Sequence, residues 1–379
     1  MKTNGSMNKI WLSSPHMGGN EQKYIQEAFD DNWIAPLGPN VTHFETGIEA
    51  YQQEDVLVAA LSSGTAALHL SLILAGVKAG DEVICQSMTF SASANPIAYL
   101  GATPVFIDSE KTTWNLCPTA LENAIIDRIT LGKKPKAIIG VHLYGMPFQV
   151  DKVKEIADKY EIILIEDSAE SLGSTYKNKK CGTFGDFGIL SFNGNKIITT
   201  SGGGALVTKS KAHKDKAVFL ATQARDQAPH YQHSEIGYNY RMSNICAGIG
   251  RGQMEVISNR VNQRRAMHAF YQSIFETSDT IKVFSEPSED YHSNFWLSTI
   301  LTDSFETREA IRLALEAQDI EARPLWKPMH LQPVFEGAPY YGEKVAEDLF
   351  NRGLCLPSGS NLTDEERNRI KQVLVSFVS

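Results

Sequence analysis

Short apolar runs alternate with longer amphipathic segments through the first two thirds of the chain. The runs are rich in β-branched residues and predict buried strands at residues 83–85, 104–108, 137–141, 162–165, 188–192 and 205–208. The segments between them have helical spacing, at residues 65–75, 92–100, 118–126 and 150–160. This alternation predicts an α/β fold with three layers and a mostly parallel sheet.

The pattern changes at about residue 243. One long helical pattern covers residues 243–275 and suits a connector. Beyond it we predict a strand at 293–301, a helix at 304–318, and two helices near the end, at 342–352 and 363–377. We therefore expect a large domain over residues 16–255 and a small α/β domain over residues 256–379. The N-terminal segment, residues 1–15, is expected to pack near the small domain.

The composition excludes several classes of protein. The chain has 379 residues, of which 42% are apolar and 21% are charged, which is ordinary for a globular protein. A net charge of −8 argues against nucleic-acid binding. Five scattered cysteines, never in a C-x-x-C pair, argue against a disulfide framework and against a zinc or other metal site. The sequence has no secretory signal and no bilayer-length apolar run, so we expect a cytoplasmic protein with no membrane segment.

A possible anion site lies at residues 63–68, Ser-Gly-Thr-Ala-Ala-Leu, where an apolar stretch passes into a predicted helix. A glycine and a hydroxyl residue at a helix N-terminus leave backbone N–H groups free for an anion, and the helix dipole favours phosphate. Taken alone, the motif is more simply explained by an ordinary N-cap at Ser63 or Thr65. It is not G-x-G-x-x-G, so a dinucleotide fold is poorly supported.

Two ionisable residues follow predicted strands. Asp167 ends the strongest strand, where open α/β sheets place their chemistry, and a buried acid there can keep a pyridinium nitrogen protonated. Lys196 comes directly after another strand, among small and amide residues, and desolvated lysines readily form Schiff bases. A helix N-cap and a surface lysine are the alternatives for each residue alone. Their combination with the anion motif favours a cofactor site.

Taken together, the motifs resemble those of the nucleotide-sugar aminotransferases, the DegT/StrS-like group of fold type I pyridoxal-phosphate (PLP) enzymes. The resemblance covers nearly the whole chain. It rests on Leu-Gly-Pro at residues 37–39, Ser-Gly-Thr-Ala-Ala-Leu at 63–68, Thr-Phe-Ser-Ala at 89–92, His-Leu-Tyr-Gly at 142–145, Glu-Asp-Ser-Ala at 166–169, Ser-Phe-Asn-Gly-Asn-Lys at 191–196, Gly-Tyr-Asn-Tyr-Arg-Met at 237–242 and Lys-Pro-Met-His at 327–330.

This resemblance implies a PLP-dependent aminotransferase and a role for each matched residue. Lys196 would bind the cofactor covalently and then move protons, while Asp167 would pair with the pyridine nitrogen. The other implied cofactor contacts are Phe90 on the ring, the amides of Gly64, Thr65 and Ala66 with the Ser191 hydroxyl on the phosphate, and Asn239 from a neighbouring subunit. A homodimer with shared active sites would follow. Core packing is the alternative for Phe90, and a structural role is favoured for His142.

One position departs from the family pattern. Three residues after the aspartate, much of the family has His or Gln, where contact with the cofactor's phenolate oxygen is plausible, but this chain has Glu170. A carboxylate facing a phenolate is repulsive unless one of them is protonated or the side chain turns away. We therefore expect Glu170 at the cofactor but leave its role open.

The expected substrates are L-glutamate and a UDP-linked 4-keto-6-deoxy-N-acetylhexosamine, aminated at C4 for a bacterial glycan or polysaccharide. Residues 321–330 place Arg, Lys and His around a tryptophan, with two prolines, and a diphosphate needs such local cations in an acidic protein. A solvated surface loop is the alternative. The predicted substrate contacts are Trp33, Arg241, Arg323, Trp326, Lys327 and His330.

Other functions stay open at this point. A GDP- or dTDP-linked sugar, or amination at C3, would use the same chemistry. A non-catalytic regulatory or binding protein of the family is a different class, and the intact set of Lys196, Asp167 and Ser191 argues against it. Some relatives replace the lysine with His and become dehydratases, and Lys196 argues against that activity as well.

Overall fold

The computed structural model describes residues 8–378. The strands in this range are β1 (Leu57–Leu61), β2 (Glu82–Gln86), β3 (Thr103–Ile107), β4 (Ala137–Val141), β5 (Ile163–Asp167), β6 (Thr175–Tyr176), β7 (Lys179–Lys180), β8 (Phe187–Ser191), β9 (Gly204–Thr208), β10 (Ile281–Val283), β11 (Tyr291–His292), β12 (Ser298–Thr302), β13 (Arg323–Pro324), β14 (Tyr340–Tyr341) and β15 (Gly353–Leu356).

Helices cover much of the remaining chain. They are α1 (Glu21–Asp30), α2 (Pro39–Gln52), α3 (Gly64–Leu74), α4 (Asn95–Tyr99), α5 (Pro118–Thr130), α6 (Val150–Lys159), α7 (Lys211–Ala221), α8 (Asn244–Met254), α9 (Ile257–Phe275), α10 (Phe305–Glu316), α11 (Val345–Arg352) and α12 (Asp364–Leu374). Short 3₁₀ turns lie at Ser91–Ser93, Leu143–Gly145, Met329–Leu331, Pro333–Phe335 and Val375–Phe377. None of these helices is both long and apolar enough to cross a membrane.

The main sheet has its strands in the order β1-β9-β8-β5-β4-β2-β3-β14. The pairings from β8 to β14 are parallel, whereas β9 runs antiparallel to both β8 and β1. Neighbouring side chains of β4 enter different cores, because Ile139 packs with residues of α3 and α7, and Ile138 packs with residues of α5 and α6. Helices therefore cover both faces, which confirms the predicted three-layer α/β fold with a mostly parallel sheet.

A second, antiparallel sheet has the order β10-β12-β15-β13, and its core includes residues of α9, α10 and α12. Ile10 lies in the same core, and its N–H bonds the carbonyl of Asp319 at 3.0 Å. The predicted boundary at residue 255 stays a prediction. One element from beyond this boundary belongs to the main sheet, because β14 pairs with β3 and forms the edge of that sheet. Residues 1–7 of the predicted N-terminal segment lie outside the described residues.

Two predicted elements were wrong in extent. The single helix at residues 243–275 is two helices, α8 and α9, because Val256 (φ −115°, ψ 5°) leaves the α conformation between them. The strand predicted at 293–301 begins only at Ser298. Before it, the Asn294 amide donates to the carbonyls of Glu170 and Leu172, and Phe295 takes a positive φ of 45°. These contacts hold this part of the chain in a turn, so it does not pair as a β-strand.

Candidate active site

A cavity of about 330 Å³ opens where β5 and β8 end and α3 begins. The carboxyl ends of strands in an open α/β sheet are the usual place for a ligand. The cavity brings together the predicted site residues Gly64, Thr65, Phe90, Asp167, Glu170, Ser191, Lys196 and Trp326. Its volume lies at the lower end of the range for small-molecule sites.

The start of α3 forms one end of the cavity. The amides of the first residues of a helix have no partner inside the helix, and Gly64 and Thr65 are at this position, next to Ser191. A Cβ on Gly64 would lie 3.1 Å from Cβ of Ser191, so glycine allows this close approach. Ser63 is the N-cap, and its Oγ accepts a hydrogen bond from the amide of Ala66 at 3.0 Å. The prediction that Ala66 offers its amide to a phosphate is therefore corrected.

Asp167 ends β5 and is held by two hydrogen bonds. Its Oδ2 accepts from the hydroxyl of Ser93 at 2.6 Å, and its Oδ1 accepts from the amide of Ala169 at 3.1 Å. Ser93 in turn lies 2.7 Å from the hydroxyl of Thr89. Sequence reasoning gave no site role to Ser93 or Thr89, although Thr89 begins the motif at residues 89–92 and Ser93 directly follows it. These contacts fix the orientation of a nearly buried carboxylate.

Lys196 reaches into the cavity from the loop after β8. Its Nζ lies 3.5 Å from Oε1 of Glu170 and 4.0 Å from the centroid of the Trp296 ring. Only 13% of its side chain is exposed. A carboxylate and an aromatic face both stabilise an ammonium group. Trp296 is fully buried and was not predicted as a site residue.

Glu170 lines the cavity, and both of its carboxylate oxygens have partners within the chain. Its Oε2 accepts a hydrogen bond from the amide of Tyr144 at 2.6 Å, and its Oε1 faces Lys196. Burial raises the pKa of Glu170 and the charge of Asp167 adds to this, while Lys196 and the Tyr144 amide act in the opposite direction. In this arrangement the side chain is the partner of the lysine.

Three predicted substrate contacts lie outside the cavity of this chain. Arg241 is buried, and its Nη1 bonds Oε1 of Glu45 at 2.7 Å and the carbonyl of Ala60 at 2.8 Å, because a buried guanidinium requires partners. Arg323 points outward and pairs with Glu321 at 2.6 Å. His330 lies 2.6 Å from the Ser87 hydroxyl and stacks on Tyr340. The cations of residues 321–330 therefore do not converge on the cavity.

The remaining predicted residues are exposed and do not line the cavity of this chain. Trp33 is half exposed and donates its indole N–H to the carbonyl of Leu37. Lys327 follows Trp326 on the surface, and Asn239 lies in an exposed position beside Thr222. His142 is a structural residue here, because its Nε2 lies 2.9 Å from Glu166 and its ring stacks on Phe148.

The residues of the cavity fit the expected cofactor. Free amides at a helix start and a hydroxyl suit a phosphate, a nearly buried carboxylate suits a protonated ring nitrogen, and a lysine lines the same cavity. Phe90 has 57% of its surface exposed, which is unusual for a phenylalanine and leaves its ring free to contact a flat ligand. The described residues contain no cluster of His, Cys, Asp and Glu that could hold a metal ion.

Comparison with known proteins gives a consistent result. The DegT/DnrJ/EryC1/StrS aminotransferase family model matches residues 15–375. The chain is 53% identical over 371 residues to EpsN of Bacillus subtilis (strain 168), covering 97% of this chain and 95% of EpsN. It is 38% identical over 373 residues to a GDP-perosamine synthase of Escherichia coli O157:H7, covering 98% and 100%. The PLP form of Spr1654 from Streptococcus pneumoniae superimposes with a TM-score of 0.89 at 27% identity, covering 98% of this chain and 99% of that one.

Proposed function

The chain belongs to the DegT/DnrJ/EryC1/StrS aminotransferase family, and on that premise we propose that it moves the amino group of L-glutamate to the keto carbon of a nucleotide-linked sugar. The family and the structural likeness confirm that the protein is a PLP-dependent sugar aminotransferase of fold type I. The observation that carries the proposal is that Lys196, Asp167 and the start of α3 share one cavity.

The residues of the cavity have separate tasks in this proposal. When bound, PLP would supply an aldehyde to which Nζ of Lys196 could bind covalently, and a pyridinium ring that withdraws electrons from the reacting carbon. The amides of Gly64 and Thr65 and the Ser191 hydroxyl would bind the phosphate. Asp167 would keep the ring nitrogen protonated, and Phe90 would contact the ring.

Lys196 is the general acid and base of the proposal. Nζ would take the proton from the donor carbon that carries the nitrogen and would deliver a proton to the carbon on the other side of that nitrogen. Glu170 and the Trp296 ring hold that amine inside the cavity between transfers. Because 87% of the lysine side chain is shielded, water competes poorly for the proton.

For the sugar we propose UDP-2-acetamido-2,6-dideoxy-hexos-4-ulose, aminated at C4 in the synthesis of a bacterial glycan or polysaccharide. The support is the resemblance at residues 32–38 and 323–330 to the branch that uses such sugars. The indole Nε1 of Trp326 adds to it, because this cavity residue has no hydrogen-bond acceptor among residues 8–378. Such a donor suits an oxygen of the substrate. Lys327, the next residue along the chain, is exposed and would supply a positive charge for the diphosphate.

A GDP-linked 4-keto sugar is the second candidate. It is favoured by the GDP-perosamine synthase of Escherichia coli O157:H7, which matches along its whole length. The outward position of Arg323 and the pairing of His330 also remove two of the contacts on which the UDP prediction relied. With a dTDP-linked sugar, or with amination at C3, the protein would still be an aminotransferase.

The substrate is tested in the second half-reaction alone. Protein carrying the amino form of the cofactor is mixed with UDP-, GDP- and dTDP-linked 4-keto sugars, and the return of the aldehyde form is followed by absorbance. We expect the fastest reaction with the UDP sugar and an amino group at C4, identified by NMR of the product. A clear preference for the GDP- or dTDP-linked sugar, or amination at C3, would contradict the proposed substrate. The assignment as an aminotransferase would still hold.

We further propose a homodimer in which Asn239 reaches the cofactor phosphate of the partner. Asn239 is exposed and does not line the cavity of its own chain. Near the N-terminus, Phe29, Trp33, Ile34 and Leu37 are each about half exposed. Large apolar side chains grouped in this way usually mark a protein interface. A second copy of the chain would cover them.

Complementation tests the shared site. Chains with Lys196→Ala and chains with Asn239→Ala are each expected to be inactive, and mixing them should restore one working site in every hybrid dimer. The matched control mixes Lys196→Ala with Asp167→Asn, because these residues lie in one cavity and no hybrid can contain an intact site. If hybrids form, as shown by mass spectrometry, and the first pair stays as inactive as the control, the shared-site proposal is wrong.

A further inference from the structure

The carbonyl of Asn195, the residue before Lys196, accepts two hydrogen bonds from distant parts of the chain. The Ser13 hydroxyl donates to it at 2.6 Å and the indole Nε1 of Trp296 donates to it at 2.7 Å. The side chain of Asn195 itself is exposed, as is Asn193 two residues earlier. The backbone of the loop that carries the lysine is therefore restrained, although both asparagine side chains are exposed.

Arg264 of α9 holds both donors. Its Nη2 donates to the Ser13 hydroxyl at 2.8 Å, and its Nη1 donates to the carbonyl of Trp296 at 2.9 Å. Since the Ser13 oxygen accepts from the guanidinium, its own proton is directed to Asn195. One arginine thus holds the side chain of Ser13 and the backbone of Trp296, the two residues whose side chains meet on one carbonyl.

Arg264 is an unusual residue to bury. It is 1% exposed and forms no ion pair with a carboxylate among the described residues, while burial and the charge of Arg260 lower its pKa to about 9. A buried cation without a counter-ion destabilises a fold unless its hydrogen bonds are well placed. The two residues that accept hydrogen bonds from Arg264, Ser13 and Trp296, both donate to the lysine loop. The buried charge therefore supports that loop as well as the packing around it.

Trp296 contacts the lysine loop a second time. The face of its ring lies 4.0 Å from Nζ of Lys196, while the edge of the same ring bonds the preceding carbonyl. The tryptophan is 1% exposed and is fixed by its neighbours. It therefore defines the position of the lysine at both its backbone and its amine.

We propose that Ser13, Trp296 and Arg264 form a clamp that positions Lys196 for reaction by holding the carbonyl of Asn195. The inference rests on the proposed covalent role of Lys196, and it makes the three clamp residues positioning residues. The clamp raises the effective concentration of the lysine amine at the cofactor. Without it the cofactor still binds through its phosphate and ring, but the lysine competes less well for the covalent bond.

The test measures that competition and not turnover. Loaded protein is titrated with ethylamine, reduced with borohydride, and digested, and mass spectrometry gives the fraction of cofactor attached to residue 196. We expect Ser13→Ala and Trp296→Phe each to lower the half-displacing ethylamine concentration about two- to tenfold, the range for one lost hydrogen bond. Ser14→Ala and Trp114→Phe are matched controls, since the hydrogen bonds to the carbonyl of Asn195 come from Ser13 and Trp296 and not from these side chains, and they should behave as the unaltered protein.

A second measurement separates positioning from general damage. In the Lys196→Ala background, Ser13→Ala should leave the Kd for non-covalent PLP unchanged, because no lysine remains to be positioned. A lower affinity there, or equal half-displacing concentrations in clamp variants and controls, would overturn the clamp. Absence of the residue-196 adduct in the unaltered protein would instead overturn the proposed role of Lys196, so the two failures are distinguishable.

Discussion

Replacing Lys196 by alanine should remove the visible absorbance of protein-linked cofactor and stop transamination. The physical reason is that the chain loses both the covalent attachment and its proton carrier, and proton transfer alone contributes about a hundred- to ten thousand-fold to such reactions. Absorbance spectra and the rate of 2-oxoglutarate formation from glutamate measure the two effects.

Lys180→Ala is the matched control for this substitution. Lys180 is also half buried over an aromatic ring, 4.4 Å from the centroid of Tyr51, but it lies outside the cavity. It should keep normal absorbance and turnover. Normal transamination by Lys196→Ala without any added amine would contradict the proposed covalent and proton-transfer roles of Lys196.

Asp167→Asn should lower the rate about a hundred- to a thousand-fold, the usual cost of removing one preorganised electrostatic partner. The amide preserves the shape of the carboxylate and keeps an oxygen for the hydrogen bond from Ser93 or Ala169. What it removes is the negative charge beside the ring nitrogen. In protein loaded with ¹⁵N-labelled cofactor, the nitrogen resonance should move toward the unprotonated position.

A second aspartate, directly before the neighbouring strand β8, provides the comparison. Asp186 accepts a hydrogen bond from the amide of Leu164 near the opposite end of β5 and lies outside the cavity. Asp186→Asn should leave the nitrogen resonance and the rate unchanged. An unshifted resonance in Asp167→Asn would show that this carboxylate does not control the proton on the ring.

Local patterns predicted six of the eight strands of the main sheet to within one or two residues, because a strand buried on both faces must be a continuous apolar run, whereas β1 and β14 were not predicted. Helices that bury little were missed. In α7 only Ala217, Leu220 and Ala221 are buried, and the first half of the helix carries three lysines. In α1 only Glu21 and Ala28 are buried. Such segments give a weak apolar period, so the sequence did not reveal them.

The same contrast holds at the candidate site. Lys196, Asp167 and Gly64 were found because each lies in a short motif at the end of a predicted element. Ser13 and Trp296 were not, because they reach Asn195 from 182 and 101 positions away along the chain. Contacts of that separation leave no local pattern.

The predicted diphosphate loop shows the opposite case. Its cations are close together in sequence but not in space, because the chain turns between them. Arg323 lies in β13 and faces solvent, whereas His330 lies in a 3₁₀ turn and packs against Tyr340. Trp326, between the two, is the member of the group that lines the cavity.

The pairing of β14 with β3 also bears on the order in which the protein is made. β3 is completed early in synthesis, yet its edge partner, Tyr340–Tyr341, leaves the ribosome only when most of the chain has been translated. Until then β3 exposes unpaired backbone groups along an apolar strand, the kind of edge that recruits other chains. The Asp108 carboxylate, which accepts the amides of Glu343, Val345 and Ala346, then fastens the late segment in place. A nascent chain stalled before residue 340 should therefore be the form of this protein most dependent on chaperones.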